Sequence, residues 1–239
     1  MCAQIITSAM TKKLVVLSGS GISAESGIQT FRDMGGLWEQ YDITEVASPQ
    51  AWEGNRQLVL DFYNQRRRQL FQCIPNSAHY ALAELENHFK INIITQNVDD
   101  LHERAGSTNV LHLHGELKKV RSTIDPSLVY ELDHWELKEG DICEKGSQLR
   151  PHIVWFGEPV EAIKEAAEIA STADIFLVIG TSLSVYPAAG LIDFVPPEVP
   201  VFIIDPGSLA YTSSTNIEVI KEKATKGMEI LKDRLKSLA

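Results

Sequence analysis

The apolar run Leu14-Val15-Val16-Leu17 ends, one serine later, in Gly19-Ser20-Gly21-Ile22-Ser23-Ala24-Glu25-Ser26-Gly27. A short β-type run that breaks into a glycine-rich turn brings bare backbone to the end of a strand, where N–H groups can approach a pyrophosphate. The turn also satisfies the loose dinucleotide pattern Gly-x-Gly-x-x-Gly/Ala. Taken alone, that pattern is equally served by a tight strand-to-helix turn that binds nothing. A dehydrogenase would also need an acidic residue closing the next strand, ~20 residues on. Glu39 and Asp42 stand near that distance, but Met34-Gly35-Gly36-Leu37-Trp38 before them is no parallel strand.

Further runs share the character of the first. Residues 14–18, 91–95, 110–114, 175–180 and 201–205 are short, β-branched and continuously apolar, as buried parallel strands are. Between and after them, residues 55–72, 76–88, 161–170 and 224–238 read as helices, the last with Met228, Leu231 and Leu235 on one face. Strand and helix in alternation predict an α/β fold with a doubly wound parallel sheet. Two stretches do not fit that sheet. Residues 35–74 are mainly helical, and residues 118–149 are polar and irregular, with Pro126, Gly140 and Gly146. The chain is therefore expected to form a single domain, 1–239. Its large lobe takes residues 1–34, 75–117 and 150–239, and its smaller, inserted lobe residues 35–74 and 118–149.

The net charge of −10 excludes the basic face of a general nucleic-acid binder. No apolar stretch approaches the ~20 residues of a bilayer span, and residues 1–13 lack the pattern of a signal peptide, so the cytoplasm is expected and no membrane partner. Cys2, Cys73 and Cys143 are too scattered for a disulfide framework.

Two polar motifs close later strands. Gln96, Asn97 and Asp99 stand at a strand's C-terminal end, where open α/β sheets hold ligands, although Asn97 and Asp99 could simply cap the next turn. In His112-Leu113-His114-Gly115-Glu116-Leu117, period-two alternation puts both histidines on one side of a strand. A strand histidine is often only structural, but Gly115 permits close approach of a backbone or ligand beside His114. An imidazole of pKa about 6.5 suits a proton acceptor near neutrality.

Together, the turn from Gly19 through Phe31-Arg32 and Gly36-Leu37-Trp38, the Thr95-Gln96-Asn97-Val98-Asp99 segment and His114-Gly115-Glu116-Leu117 resemble the sirtuins, over nearly the whole chain. The resemblance implies a Rossmann-like sheet with a small lobe, and an NAD-dependent protein lysine deacylase. NAD would be the co-substrate, lined by Gly19, Ser20, Gly21, Glu25, Thr30, Phe31, Arg32 and Trp38. Ser20 departs from the family's usual Ala. Gln96 and Asn97 would meet the nicotinamide ribose and Asp99 the carboxamide. Gly180, Thr181 and Ser182 would form a second nucleotide turn, and Asp205 and Ala224 would lie near the adenosine. Asn97 and His114 would be catalytic, His114 as the base that takes a proton from a ribose hydroxyl. The products would be nicotinamide, free lysine and 2′-O-acyl-ADP-ribose. Val154, Trp155, Phe156, Gly157 and Glu158 resemble the segment that binds the acylated peptide, partly by strand addition.

Most sirtuins hold a structural zinc on four cysteines. Here Arg121-Ser122-Thr123-Ile124 stands where the first pair would be and Cys143 alone near the second, so no metal is expected. Val129, Leu132, Trp135 and Leu137 are expected to hold the small lobe instead. Tyr63 and Arg66 lie three apart on a helix, as in the Tyr-x-x-Arg pair by which desuccinylase-type sirtuins bind the distal carboxylate of succinyl- or malonyl-lysine. Ala47 would leave room for such an acyl chain, while Arg67 and Arg68 are expected on a solvated face. Desuccinylation and demalonylation alongside deacetylation is the activity implied. The alternatives are a sirtuin-like ADP-ribosyltransferase, which needs no acyl pocket, and a non-enzymatic NAD sensor, which needs no His114.

Overall fold

The computed structural model describes residues 11–29, 42–207 and 216–239. The strand before the glycine turn, β1 (Lys13–Ser18), is followed by the one-turn α1 (Gly21–Ala24). Next come α2 (Ile43–Val46), α3 (Pro49–Gly54), the long α4 (Arg56–Gln72) and α5 (Ser77–Leu85). Asn76 caps α5, its side chain accepting from Ala78 N–H. Then follow β2 (Lys90–Thr95), α6 (Leu101–Arg104) and β3 (Val110–His112). The chain continues through β4 (Gly115–Ser122), β5 (Val129–Glu131), β6 (Leu149–Ile153) and α7 (Ile163–Ala170). It closes with β7 (Ile175–Ile179), a 3-10 turn at Ala188–Phe194, β8 (Val201–Ile204), β9 (Ile217–Ile220) and α8 (Ala224–Ser237).

The larger sheet has the order β3-β2-β1-β7-β8-β9, with parallel pairing throughout. Its strands are continuously apolar because both faces are covered. Along β1, Leu14 and Val16 face a core completed by α5 and α8, through Leu82, Leu85, Met228 and Leu231. Val15 and Leu17 face the opposite core with Ala166 and Ala170 of α7 and Leu191 of the 3-10 turn. After β1 the chain builds outward to β2 and β3, then crosses to β7 on β1's other side. Loops leaving β1 and β7 therefore diverge, and a crevice opens at this switch point. β9, an edge strand with Glu218 interrupting its apolar residues, went unread in the sequence.

Residues 118–149 are more ordered than their composition suggests. β4 pairs antiparallel with β5 and β6 in a second sheet of order β5-β4-β6. A register shift between Gly115 and Val120 places buried Leu117 and Val120 three residues apart, which erases the period-two signal. This sheet, α2, α3 and α4 share a core with Trp52, Phe62, Leu70 and Trp155.

What holds the small lobe also differs from expectation. Leu137 is buried and Leu132 packs at the core's margin, but Val129 and Trp135 are exposed. Arg67 is not on a solvated face; it is fully buried. Its Nε donates to Leu117 O at 2.5 Å, and its Nη1 donates to Asn64 Oδ1 at 2.9 Å and to Trp135 O at 2.8 Å. Asn64 in turn donates to Leu137 O and accepts from Leu137 N–H, each at 2.9 Å. The pair fastens the 135–137 segment to α4 and β4. Arg68 is exposed, its guanidinium 5.5 Å from the Trp135 ring centroid.

Candidate active site

Where β1 and β7 end, backbone meets backbone. Gly21 N–H donates to Gly180 O at 2.8 Å. Gly180 has φ +66°, and a Cβ there would lie 2.2 Å from Ile22 N. Glycine backbone forms this end of the crevice among the described residues, and it opens into a cleft of about 940 Å³. That size and the bare backbone floor suit a dinucleotide together with part of a second substrate.

The cleft's middle is set by the loop after β2. Gln96 Nε2 donates to Thr181 Oγ1 at 3.2 Å, tying the turns that follow β2 and β7. Asn97 is 4% exposed, yet it borders the cleft, its amide nitrogen donating to Ser23 Oγ at 3.2 Å. Ser23 donates to Asp99 Oδ2 at 2.9 Å, and Asp99 Oδ1 accepts Leu101 N–H at 3.2 Å. Burial pushes the Asp99 carboxyl up to about 6 against the pull of these two hydrogen bonds. Asp99 lies behind the cleft wall and supports Asn97 through Ser23. Ser23 was missed in the sequence; its only signal was a hydroxyl inside the glycine turn.

The two histidines part company. β3 ends at His112 and the chain bends, so strand alternation does not extend to His114. His114 lines the cleft, whereas the His112 ring points to Glu103, 2.7 Å away. His114 Nδ1 lies 3.0 Å from Gln96 O. A carbonyl only accepts, so Nδ1 carries the hydrogen and Nε2 keeps the lone pair. Burial lowers the His114 pKa below its ordinary 6.5, leaving a neutral imidazole at pH 7. Gly115, with φ +82°, lets β4 cross His152, whose carbonyl oxygen would lie 2.0 Å from an added Cβ. Close approach of another backbone is thus what this glycine provides.

Ala47, Tyr63 and Arg66 line the same cleft. Burial pushes the Tyr63 hydroxyl up to about 12, despite the nearby Arg66 charge, so the phenol stays neutral. The Arg66 guanidinium carbon lies 5.9 Å from the Tyr63 ring centroid. Val154, Trp155, Phe156, Gly157 and Glu158 line the cleft beside them. Phe156 N–H donates to Ala47 O and Val154 N–H to His114 O, each at 3.0 Å, tying this segment to Ala47 and to His114. Glu158 is engaged within the protein. It accepts from Arg150 at 2.7 and 3.0 Å and from Trp155 N–H at 2.8 Å, with Arg121 at 3.4 Å. The Arg150 guanidinium stacks 3.3 Å from the Trp155 ring centroid.

At the far end lie Gly19, Ser20, Glu25, Thr181, Ser182, Asp205 and Ala224, with Lys223, which the sequence did not point to. Glu25 is committed to α8, accepting from Thr225 Oγ1 at 2.9 Å and Thr225 N–H at 3.1 Å. Asp205 Oδ1 accepts Gly207 N–H at 2.8 Å. Thr30, Phe31, Arg32 and Trp38 lie outside the described residues.

The residues present do not fit a four-cysteine zinc site. Where one would stand, Cys143 Sγ lies 3.3 Å from Ser122 Oγ and 3.2 Å from Ser147 Oγ. Among the described residues, no three His, Cys, Asp or Glu side chains are grouped to hold a metal ion. Among them, too, no helix is long and apolar enough to cross a membrane.

A doubly wound sheet whose switch point opens into a cleft bordered by a neutral histidine and a buried amide defines a nucleotide-binding α/β enzyme. The chain matches the Sir2 family over residues 19–187, and it belongs to that family. It is 56% identical over 230 residues to an NAD-dependent protein deacylase of Helicobacter pylori, spanning 95% of this chain and 97% of that protein. A crystal structure of a Sir2 homologue with NAD superposes with a TM-score of 0.85 at 41% identity, covering 96% of this chain and 91% of that one. A Sir2 structure with a p53 peptide and NAD superposes with a TM-score of 0.79 at 28% identity, covering 96% and 95%.

Proposed function

We propose that the cleft removes acidic acyl groups from protein lysines, succinyl and malonyl above all, while retaining deacetylation. The chain is an NAD-dependent protein deacylase. NAD, when bound, supplies an electrophilic ribose carbon and a nicotinamide leaving group. His114 Nε2 takes a proton from a ribose hydroxyl, and its Nδ1 bond to Gln96 O fixes the ring for that transfer. Asn97, held by Ser23, orients the ribose. Residues 154–158 receive the peptide, partly by strand addition through backbone groups not already bonded within the protein. Gly19, Ser20, Gly21, Gly180, Thr181 and Ser182 cradle the nucleotide, with Asp205 and Ala224 beside its adenosine.

One observation carries the acyl preference: Tyr63 and Arg66 line the same cleft as His114. A carboxylate entering an acidic protein needs a local cation, and guanidinium with phenol offers up to three hydrogen bonds. The test uses one peptide sequence carrying acetyl-, malonyl- or succinyl-lysine, incubated with the protein and NAD and followed by mass spectrometry. NAD-dependent release of free lysine, fastest from the acidic acyl groups, is expected. Acetyl-lysine processed faster than both would refute the preference. ADP-ribose attached to protein, with the acyl group intact, would mark a transferase.

A further inference from the structure

His112 is not part of the cleft, yet both of its ring nitrogens are engaged. Nδ1 lies 3.1 Å from the carbonyl oxygen of Asn97, and Nε2 lies 2.7 Å from Glu103 Oε1 on α6. A carbonyl and a carboxylate both accept. A neutral imidazole has one N–H and would set a lone pair against one of them. Only the doubly protonated ring satisfies both contacts.

The bond to the Asn97 carbonyl falls on a residue whose N–H is held as well. Asn97 N–H donates to Thr95 Oγ1 at 3.0 Å, and Thr95 Oγ1 accepts from Ser18 Oγ at 2.9 Å. Ser18 Oγ also lies 2.9 Å from His102 Nε2. The Asn97 backbone is thus gripped at its donor and at its acceptor, while its side chain reaches Ser23 beside the cleft.

We propose that His112 is a positioning residue that works as an imidazolium, bridging Glu103 to the Asn97 carbonyl and holding the Asn97 amide in register with His114. The proposal rests on the deacylase reading of the cleft. Its consequence is an alkaline limit to turnover. When the ring loses a proton, the stronger acceptor, the Glu103 carboxylate, keeps Nε2–H. Nδ1 then faces Asn97 O with a lone pair and the amide is released.

The surroundings favour the charged ring. Glu103 faces it from α6, Glu116 acts on it from β4, and Asp99 lies near it from the loop after β2. Lys119 is drawn to Glu116, at 2.7 Å, and His102 is held neutral by burial. Burial pushes the His112 pKa down, but the hydrogen bond and charge of Glu103, with Glu116, outweigh it and the net direction is upward. The acidic limb belongs to His114, whose pKa moves the other way.

The test reads charge and turnover separately. In protein labelled with 15N-histidine, the His112 signals are assigned by their loss in His112→Gln. Both ring nitrogens should be protonated at pH 6.5, with the titration midpoint above that pH, without substrate. Glu103→Gln should lower that midpoint and move the alkaline limb of kcat down by the same interval, with the acidic limb unmoved. His112→Gln, which cannot titrate, should lose the alkaline limb. A His112 ring already neutral at pH 6.5 would overturn the imidazolium. An alkaline limb indifferent to either substitution would overturn the positioning role. Should Glu103→Gln not fold, the wild-type spectrum and the His112→Gln profile still decide. Absence of any NAD-dependent deacylation by the wild type would instead refute the functional reading, which the spectrum does not depend on.

Discussion

Trp155 Nε1–H donates to the hydroxyl oxygen of Tyr63 at 3.1 Å, with each side chain only 2% exposed. Because the phenol oxygen accepts here, the Tyr63 O–H remains a donor, the group a carboxylate would use under the proposed acyl preference. Arg150 stacks on the indole at 3.3 Å, and Glu158 accepts the Trp155 backbone N–H. A chain of contacts therefore runs from the 154–158 segment to Tyr63.

Trp155→Phe keeps a ring against Arg150 but removes the donor. A neutral hydrogen bond contributes roughly 0.5–1.5 kcal/mol, so kcat/KM on a succinyl peptide should fall about 2- to 12-fold. Activity on the acetyl peptide should hold. Equal losses on both would mean that the indole shapes the peptide site alone.

Arg66→Met should depress desuccinylation through KM, since the lost contact is to a part of the substrate that does not react. A charge-assisted bond contributes roughly 1.5–3 kcal/mol, a fall of about 10- to 150-fold. Deacetylation on the same peptide sequence should change little. If both activities fall together, Arg66 is a structural residue of α4.

His114→Ala should cost about 10²–10⁴-fold in turnover while NAD still binds, as calorimetry would report. Its pH dependence has a definite sign. The base must be unprotonated, and burial lowers its pKa, so turnover rises with pH through a midpoint below 6.5 and is not limited by this group at pH 7. A midpoint above 6.5 would mean that the Gln96 hydrogen bond, which raises the pKa, outweighs the burial that lowers it.

Stability of the small lobe should rest on Arg67. Burial pushes its pKa down to about 10, which leaves it charged at pH 7. Arg67→Met strands the carbonyls of Leu117 and Trp135; each unsatisfied acceptor costs about 1–3 kcal/mol, so loss of several kcal/mol in urea unfolding is expected. A chelator should leave the wild-type melting temperature unchanged, and elemental analysis should find no stoichiometric zinc. One zinc per chain, lost only with unfolding, would reverse that account.

Sequence order alone determined much of this protein. Continuous apolar runs marked the buried strands, the glycines after β1 marked the switch-point turn, and the spacing of Tyr63 and Arg66 put them on one helical face. These are local properties, because periodicity fixes which residues of an element share a side. Periodicity does not say what another element sets against that side. Arg67 is adjacent to Arg66 and chemically identical to it, yet it is buried because Leu117 O and Trp135 O arrive there from residues far along the chain. His112 and His114, equivalent by alternation, diverge because the strand ends between them and Glu103 claims one ring. Ser23 became a link between Asn97 and Asp99 only once the turn after β1 had docked on the loop after β2. Such pairings form between backbone segments that the fold brings together, so only the tertiary structure decided them.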